Sequence, residues 1–359
     1  MSRLCSKGLL RAFKDKEVIQ KRFGVSVRVK PIPDNDIEGA MDTRVYKSTR
    51  STAFFMKLVP KGLFKFNNTP KSLARIRKIF DSVDSHSMDL DVSKESFEIT
   101  SFDGTAIPMH RFESKHTLDD APVLYFIHGG GFFAGSTNVI SEAVSLLVEN
   151  TGIIAYAIDY RLAPENPFPT GHKDVLAGLE SIFEKEGKKV FVTGDSAGGN
   201  LSVYCSNQHP EMVKGQLLLY PTLNMGGIKD DYVDYSVDDI PVYEKHKKLI
   251  MPGILIFQQA AGLMAELLAV DDMMNQDLTP YIDVSPLSPP TYISVGEHDF
   301  LSIESIAYAR KLRDLDVYCD VAMYSGMGHA YIDKVGVYPQ AEDCINEMGE
   351  FILRYSNND

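Results

Sequence analysis

Lys189-Val190-Phe191-Val192-Thr193-Gly194-Asp195-Ser196-Ala197-Gly198-Gly199-Asn200 is the stretch whose reading decides the rest of this chain. Its first five residues are β-rich, and Ala197 to Gln208 has helical character, so Gly194 to Gly198 is a G-x-S-x-G turn between a strand and a helix. The five letters alone are a weak signal; their position carries the weight. Such an elbow forces its serine into a strained backbone conformation, and only small neighbours let strand and helix pass so closely, a need met by Gly194, Gly198 and Gly199. A serine hydroxyl is barely nucleophilic at neutral pH. If Ser196 is a nucleophile, a base must lie within hydrogen-bond reach, with a third group holding that base in the right tautomer.

Outward from the elbow, the chain from about Glu95 alternates short β-rich runs with helical segments, the pattern of a mostly parallel sheet covered on both faces. Ser96 to Thr100 and Ala106 to Phe112, parted by Asp103-Gly104, read as an opening hairpin. Val123 to Ile127, Ile153 to Ile158, Val190 to Thr193, Gln216 to Tyr220, Thr291 to Val295 and Tyr318 to Tyr324 follow, eight expected strands in all. Helices are expected over Ile140 to Glu149, Lys173 to Glu186, Ala197 to Gln208, Ile303 to Leu315 and Pro339 to Tyr355.

In sheets with this elbow the chain order is Ser, then Asp or Glu after the seventh strand, then His after the eighth. Both loops hold such residues. Glu297-His298-Asp299 follows Thr291 to Val295, and Gly326-Met327-Gly328-His329 follows Tyr318 to Tyr324, which selects Asp299 and His329. Glu297 lies nearer the strand end, His298 would have to fold back on its own loop, and His172 precedes the serine, so these three rivals are read as structural. The oxyanion of a tetrahedral intermediate needs donors aimed at it. His128-Gly129-Gly130-Gly131-Phe132 directly follows the third strand, where glycines leave backbone N–H groups unhindered, and the Ala197 amide stands at the positive end of its helix. Phe132, Phe133 and Tyr220 are candidates for an apolar acyl pocket.

Two regions stand outside this scheme: residues 1 to 90, read as a basic N-terminal cap segment preceding a catalytic domain at 91 to 359, and a second cap insertion at about 222 to 286. The insertion contains Tyr232, Tyr235, Tyr243, the acidic Asp230-Asp231 and an apolar run from Ile254 to Val270. Connections this long inside a compact domain are commonly lids. Residues 1 to 80 hold 19 Lys and Arg against 6 Asp and Glu, although the whole chain has a net charge of −12. A basic cap folded against an acidic body is the preferred reading. Its rival is peripheral contact with an anionic membrane through Leu4, Leu9, Leu10, Phe13 and Ile19.

The four cysteines are scattered, and no H-x-x-x-H or H-E-x-x-H pair occurs among the nine histidines, so neither metal nor cofactor is expected. The acidic balance and the absence of any DNA- or RNA-binding signature argue against nucleic acid. No run approaches the roughly 20 apolar residues of a membrane span, and no secretory signal is legible, so a cytoplasmic protein is expected. The partner expected is a small-molecule ester, with a homodimer left open.

Four segments together resemble the hormone-sensitive-lipase-like esterases of the α/β-hydrolase fold: His128 to Phe132, Asp159-Tyr160-Arg161-Leu162-Ala163-Pro164-Glu165, Gly194 to Asn200, and the acid and histidine loops. The resemblance runs from about residue 95 to the end, and residues 1 to 90 match only in position. It implies an eight-stranded, mostly parallel sheet with helices on both faces and a helical cap. It also implies Ser196, Asp299 and His329 as the triad, Gly130, Gly131 and Ala197 as oxyanion donors, and Tyr160 to Pro169 as a brace for the elbow. The chain reads Asp299-Phe300-Leu301-Ser302-Ile303-Glu304 where the family has D-P-L-x-D-E, and His329-Ala330-Tyr331 where it has H-G-F. The resemblance and its triad imply a serine esterase, and Phe132, Phe133 and the Tyr220-Pro221 strand end point to short to medium acyl chains. An amidase or peptidase with the same triad, or a non-catalytic receptor on the same fold, is the alternative, and His329 argues against the receptor.

Overall fold

The computed structural model describes residues 5–22, 24–58, 69–81, 88, 90–233, 236–258 and 261–356, with side chains 53–58, 257–258 and 261–262 left aside. Leu4 and Tyr235 lie outside the described residues. The strands are β1 Val18–Arg22, β2 Val25–Lys30, β3 Val92–Thr100, β4 Ala106–Ser114, β5 Val123–Ile127, β6 Ile154–Ile158, β7 Val190–Asp195, β8 Val213–Leu219, β9 Thr291–Gly296 and β10 Cys319–Tyr324. The helices are α1 Lys7–Lys16, α2 Thr43–Leu58, α3 Pro70–Phe80, α4 Thr137–Thr151, α5 Thr170–Glu186, α6 Ala197–Gln208, α7 Lys247–Gln258, α8 Ala261–Leu268, α9 Leu301–Asp314 and α10 Pro339–Ser356.

One sheet runs in the order β1-β2-β10-β9-β8-β7-β5-β6-β4-β3. From β2 to β6 every neighbouring pair is parallel, and antiparallel pairs occur at the two ends. Side chains alternate across the sheet as strand geometry demands. Leu124, Phe126, Ala155 and Ala157 enter one core with α4 and α10, whereas Tyr125, Ile127, Tyr156 and Ile158 enter the other with α5 and α6. Both faces are covered, so β5, β6, β7 and β9 are buried along their whole length and read as continuous apolar or small-residue runs.

The expected eight strands are found with shifted ends, and the described residues add two more. β1 and β2 form an antiparallel hairpin, and β2 lies parallel to β10, pairing Val27 with Val321 and Val29 with Met323. The reason is a period-two apolar pattern. Val25, Val27 and Val29 are buried, so the early part of the segment expected to be a cap extends the sheet instead. α1 likewise turns Phe13 into the core against the Tyr324 ring, 5.9 Å away, which removes it from any membrane-facing surface.

The basic charge of this segment is partly met by the acidic body. Lys30 is fully buried, its Nζ 2.9 Å from Asp343 and 2.5 Å from Glu347, and Arg28 lies 2.7 Å from Asp320. A buried ammonium is tolerated only when paired in this way. Among the described residues no helix is long and apolar enough to cross a membrane.

Candidate active site

At the end of β7 the chain reverses into α6 through Ser196, whose φ of 54° and ψ of −116° are strained for a residue with a side chain. The approach is so close that a Cβ on Gly198 would meet the Ile127 carbonyl oxygen at 2.0 Å, so only glycine fits there. The Ser196 N–H donates to the Leu219 carbonyl at 2.9 Å, which ties the elbow to β8.

Two loops on the same edge of the sheet complete a hydrogen-bonded series. After β9, Asp299 accepts the Leu301 N–H on Oδ1 at 3.0 Å, leaving Oδ2 2.7 Å from His329 Nδ1. After β10, a tight Gly326-Met327-Gly328 loop presents His329, whose Nε2 lies 3.0 Å from Ser196 Oγ. Residues 133 positions apart are thus within one proton transfer of each other. With Nδ1–H donated to Asp299, Nε2 is the nitrogen left to accept the serine proton.

The rivals are engaged elsewhere. Glu297 accepts the Gly326 N–H at 3.1 Å and so shapes the histidine loop. His298 Nε2 lies 3.1 Å from the Pro241 carbonyl, and burial pushes its imidazole down to about 4. His172, also driven to about 4 by burial, stacks on Phe132 with ring centroids 5.6 Å apart.

The glycine loop is held from several sides. Asp195 Oδ1 accepts the Gly129 N–H at 2.7 Å, and the Tyr160 hydroxyl donates to the His128 carbonyl at 3.0 Å while its ring stacks on the His128 imidazole. Through Tyr160, the Tyr160 to Pro169 segment braces the glycine loop that lies beside the elbow. Among the described residues the Gly130, Gly131 and Ala197 N–H groups donate to no turn or loop carbonyl, and Gly130 and Gly131 line the same cavity as Ser196.

Ser196 and His329 open onto a cavity of about 430 Å³, a size typical of small-molecule sites. Phe132 and Phe133 line it, whereas Tyr220 does not: it is fully buried behind His329, its ring edge against the imidazole at 4.8 Å between centroids. Its left-handed φ of 36° at the end of β8 turns the ring inward. Further walls come from Phe80 of α3, Ile228 and Val233 of the β8–β9 connection, Ile256 of α7 and Met264 of α8. Arg77 fastens α3 to this mouth, donating to the Phe133 carbonyl at 2.7 Å, to the Ala163 carbonyl at 2.9 Å and to Glu165 at 2.6 Å. No local sequence pattern marks these residues, because they converge only through tertiary packing.

Glu304 also reaches the cavity, where it accepts the Leu223 N–H at 2.6 Å, and burial pushes its carboxyl up to about 8. The folded state therefore holds a proton that the unfolded chain releases near its ordinary range, so the stability linked to Glu304 falls as pH rises from about 4.5 to about 8 and is level above that. Glu304→Gln, which keeps the acceptor without the charge, is expected to raise Tm relative to wild type by a margin that grows over this window. Melting curves at several pH values check it; a margin that does not change with pH contradicts the linkage.

A family profile described as "alpha/beta hydrolase fold" matches residues 124–333. An esterase of Acinetobacter venetianus is 26% identical over 247 residues, covering 67% of this chain and 77% of its own. The carboxylesterase NlhH of Mycobacterium tuberculosis is 29% identical over 260 residues, covering 68% and 77%. The solved structure of the ester-hydrolase EH1AB1 from the metagenome of Lake Arreo superposes with a TM-score of 0.75 at 18% identity, over 89% of this chain and 100% of its own. The esterase resemblance drawn from the motifs is borne out by these matches, whose profile is that of an α/β hydrolase and whose relatives are named esterase and carboxylesterase. The matched span holds the glycine loop, the elbow and both the acid and histidine loops, and the chain belongs to the α/β-hydrolase fold family.

Proposed function

We propose that this protein is a serine carboxylesterase acting on small esters of short to medium acyl chain through an acyl-enzyme on Ser196. The observation that carries the reading is the unbroken series Ser196 Oγ, His329, Asp299 at 3.0 and 2.7 Å, opening on an apolar cavity. In the reaction, His329 Nε2 takes the Ser196 proton as Oγ attacks the ester carbonyl. Asp299 holds Nδ1–H and stabilises the imidazolium, while the Gly130, Gly131 and Ala197 amides receive the oxyanion. His329 then returns the proton to the leaving alcohol, and water activated by the same nitrogen releases the acid.

Two cap pieces, α3 and the β8–β9 connection with α7 and α8, supply the distal wall and so set acyl length. The relatives' names, esterase and carboxylesterase, support an ester rather than an amide. A p-nitrophenyl ester series from acetate to palmitate tests the reading: kcat/KM is expected to rise to a maximum at short or medium chains and fall at palmitate. Anilides cleaved faster than esters would make the protein an amidase, and inertness on both would leave it without this chemistry.

A further inference from the structure

We propose that Arg77 is a specificity-determining residue, a latch that pins α3 beside the glycine loop so that Phe80 closes the acyl cavity at a fixed length. The inference rests on the esterase reading of the same cavity. By itself α3 has little to hold it in place. Its 11 residues carry Lys71, Arg75, Arg77 and Lys78 and no acid, and a helix this short is marginal in water without tertiary support. The apolar support is thin. Leu73 is buried with Phe133, Ala134 and Leu267, and Ile76 is partly buried against them, but Ile79 and Phe80 remain 49% and 47% exposed.

One side chain supplies what packing does not. Arg77 lies one helical turn before Phe80, and its guanidinium reaches acceptors on two other segments. Nε donates to the Phe133 carbonyl at 2.7 Å, Nη2 to the Ala163 carbonyl at 2.9 Å, and Nη1 and Nη2 to the Glu165 carboxylate at 2.9 and 2.6 Å. A planar fork of fixed donors suits such a set, whereas a lysine ammonium is a single point charge. Ser136 Oγ also meets Asp81 just past α3, but that bond is 3.3 Å long and exposed.

The segments that Arg77 grips are part of the site. Phe133 belongs to the turn in which the Gly130 carbonyl accepts the Phe133 and Ala134 N–H groups, and the Ala163 N–H donates to the Phe132 carbonyl at 2.9 Å. Phe80 meets the Phe133 ring in a T-shaped contact, centroids 6.0 Å apart, and both rings line the cavity. A latched Phe80 therefore stops an acyl chain, and a released one lets a longer chain pass. One methylene gained or refused by an apolar pocket is worth roughly 10 to 200-fold in selectivity, so a small displacement of this wall sets chain length. Arg77 does not itself line the cavity and acts through Phe80 and Phe133.

The test is the p-nitrophenyl ester series on the full chain, read as the laurate-to-butyrate ratio of kcat/KM within each variant. A loss common to both substrates cancels in that ratio. Arg77→Met, which keeps an unbranched apolar stem, is expected to raise it about ten-fold or more. Glu165→Gln, which leaves both carbonyl bonds in place, should raise it by about two- to three-fold. Lys78→Met, at the exposed neighbour, should leave it at the wild-type value. A ratio unchanged in Arg77→Met, or raised equally in Lys78→Met, overturns the proposal. Deuterium exchange separates the latch from the chemistry: amides of residues 70–80 should exchange about ten-fold faster in Arg77→Met than in wild type, with α6 unaffected. Unchanged exchange there overturns the latch, whereas a wild type inert on every ester overturns the esterase reading and leaves exchange to decide the latch. Should Arg77→Met fail to fold, Glu165→Gln carries both readouts, and wild-type values in both overturn the proposal.

Discussion

Ser196→Ala is expected to lower kcat on p-nitrophenyl butyrate by about a million-fold, with KM changed little. The hydroxyl is the group that attacks in the proposed reaction, and His329 Nε2, 3.0 Å away, is the nitrogen placed to take its proton. The cavity walls are untouched, so ground-state binding persists. His329→Ala should cost nearly as much, and the double variant hardly more than either single one, because the pair acts as a unit. The residue of activity over water, about a thousand-fold or more, would come from the oxyanion donors and binding alone. A phosphonate that labels wild type at one serine should leave Ser196→Ala unlabelled in intact-protein mass spectrometry. An alanine variant that keeps a hundredth of the activity would remove Ser196 from the mechanism.

The centre of this fold and its catalytic candidates were legible because their signals are local. A β-rich run, a glycine-flanked serine and a helix adjoin within a dozen residues, and the acid and histidine each sit immediately past a strand end. Phe132, Phe133 and the glycine loop were found for the same reason. The N-terminal hairpin was missed although Val25, Val27 and Val29 carry the alternation, since the partner that gives the pattern its meaning, β10, comes nearly 300 residues later. Tyr220 was read into the pocket from its position at a strand end, and its backbone conformation, invisible in sequence, turned it behind His329.

The second large effect is expected at Gly130, and it separates a flexible glycine turn from one whose backbone does chemistry. Gly130 has φ of 111°, and a Cβ there would lie 2.1 Å from the Ala134 carbonyl oxygen and 2.5 Å from its carbon. Both obstacles are backbone, and the Gly130 carbonyl is itself bound by the Phe133 and Ala134 N–H groups at 3.3 and 3.0 Å, so the turn cannot yield without opening. Gly130→Ala should therefore displace the amides meant for the oxyanion and cost about 100 to 1,000-fold in kcat. Gly131→Ala is the control. Its φ of 61° also disfavours a side chain, but the nearest obstacle is the edge of the Phe133 ring at 3.0 Å, which can swing away. A loss nearer ten-fold is expected there, since the strain of a left-handed alanine is on the order of 1 kcal/mol. Comparable melting temperatures for the two variants would show that the difference lies in catalysis rather than folding. If Gly130→Ala instead keeps its kcat within a few-fold of wild type, the glycine loop does not face the oxyanion, and the Ala197 amide at the head of α6 must bear that charge alone.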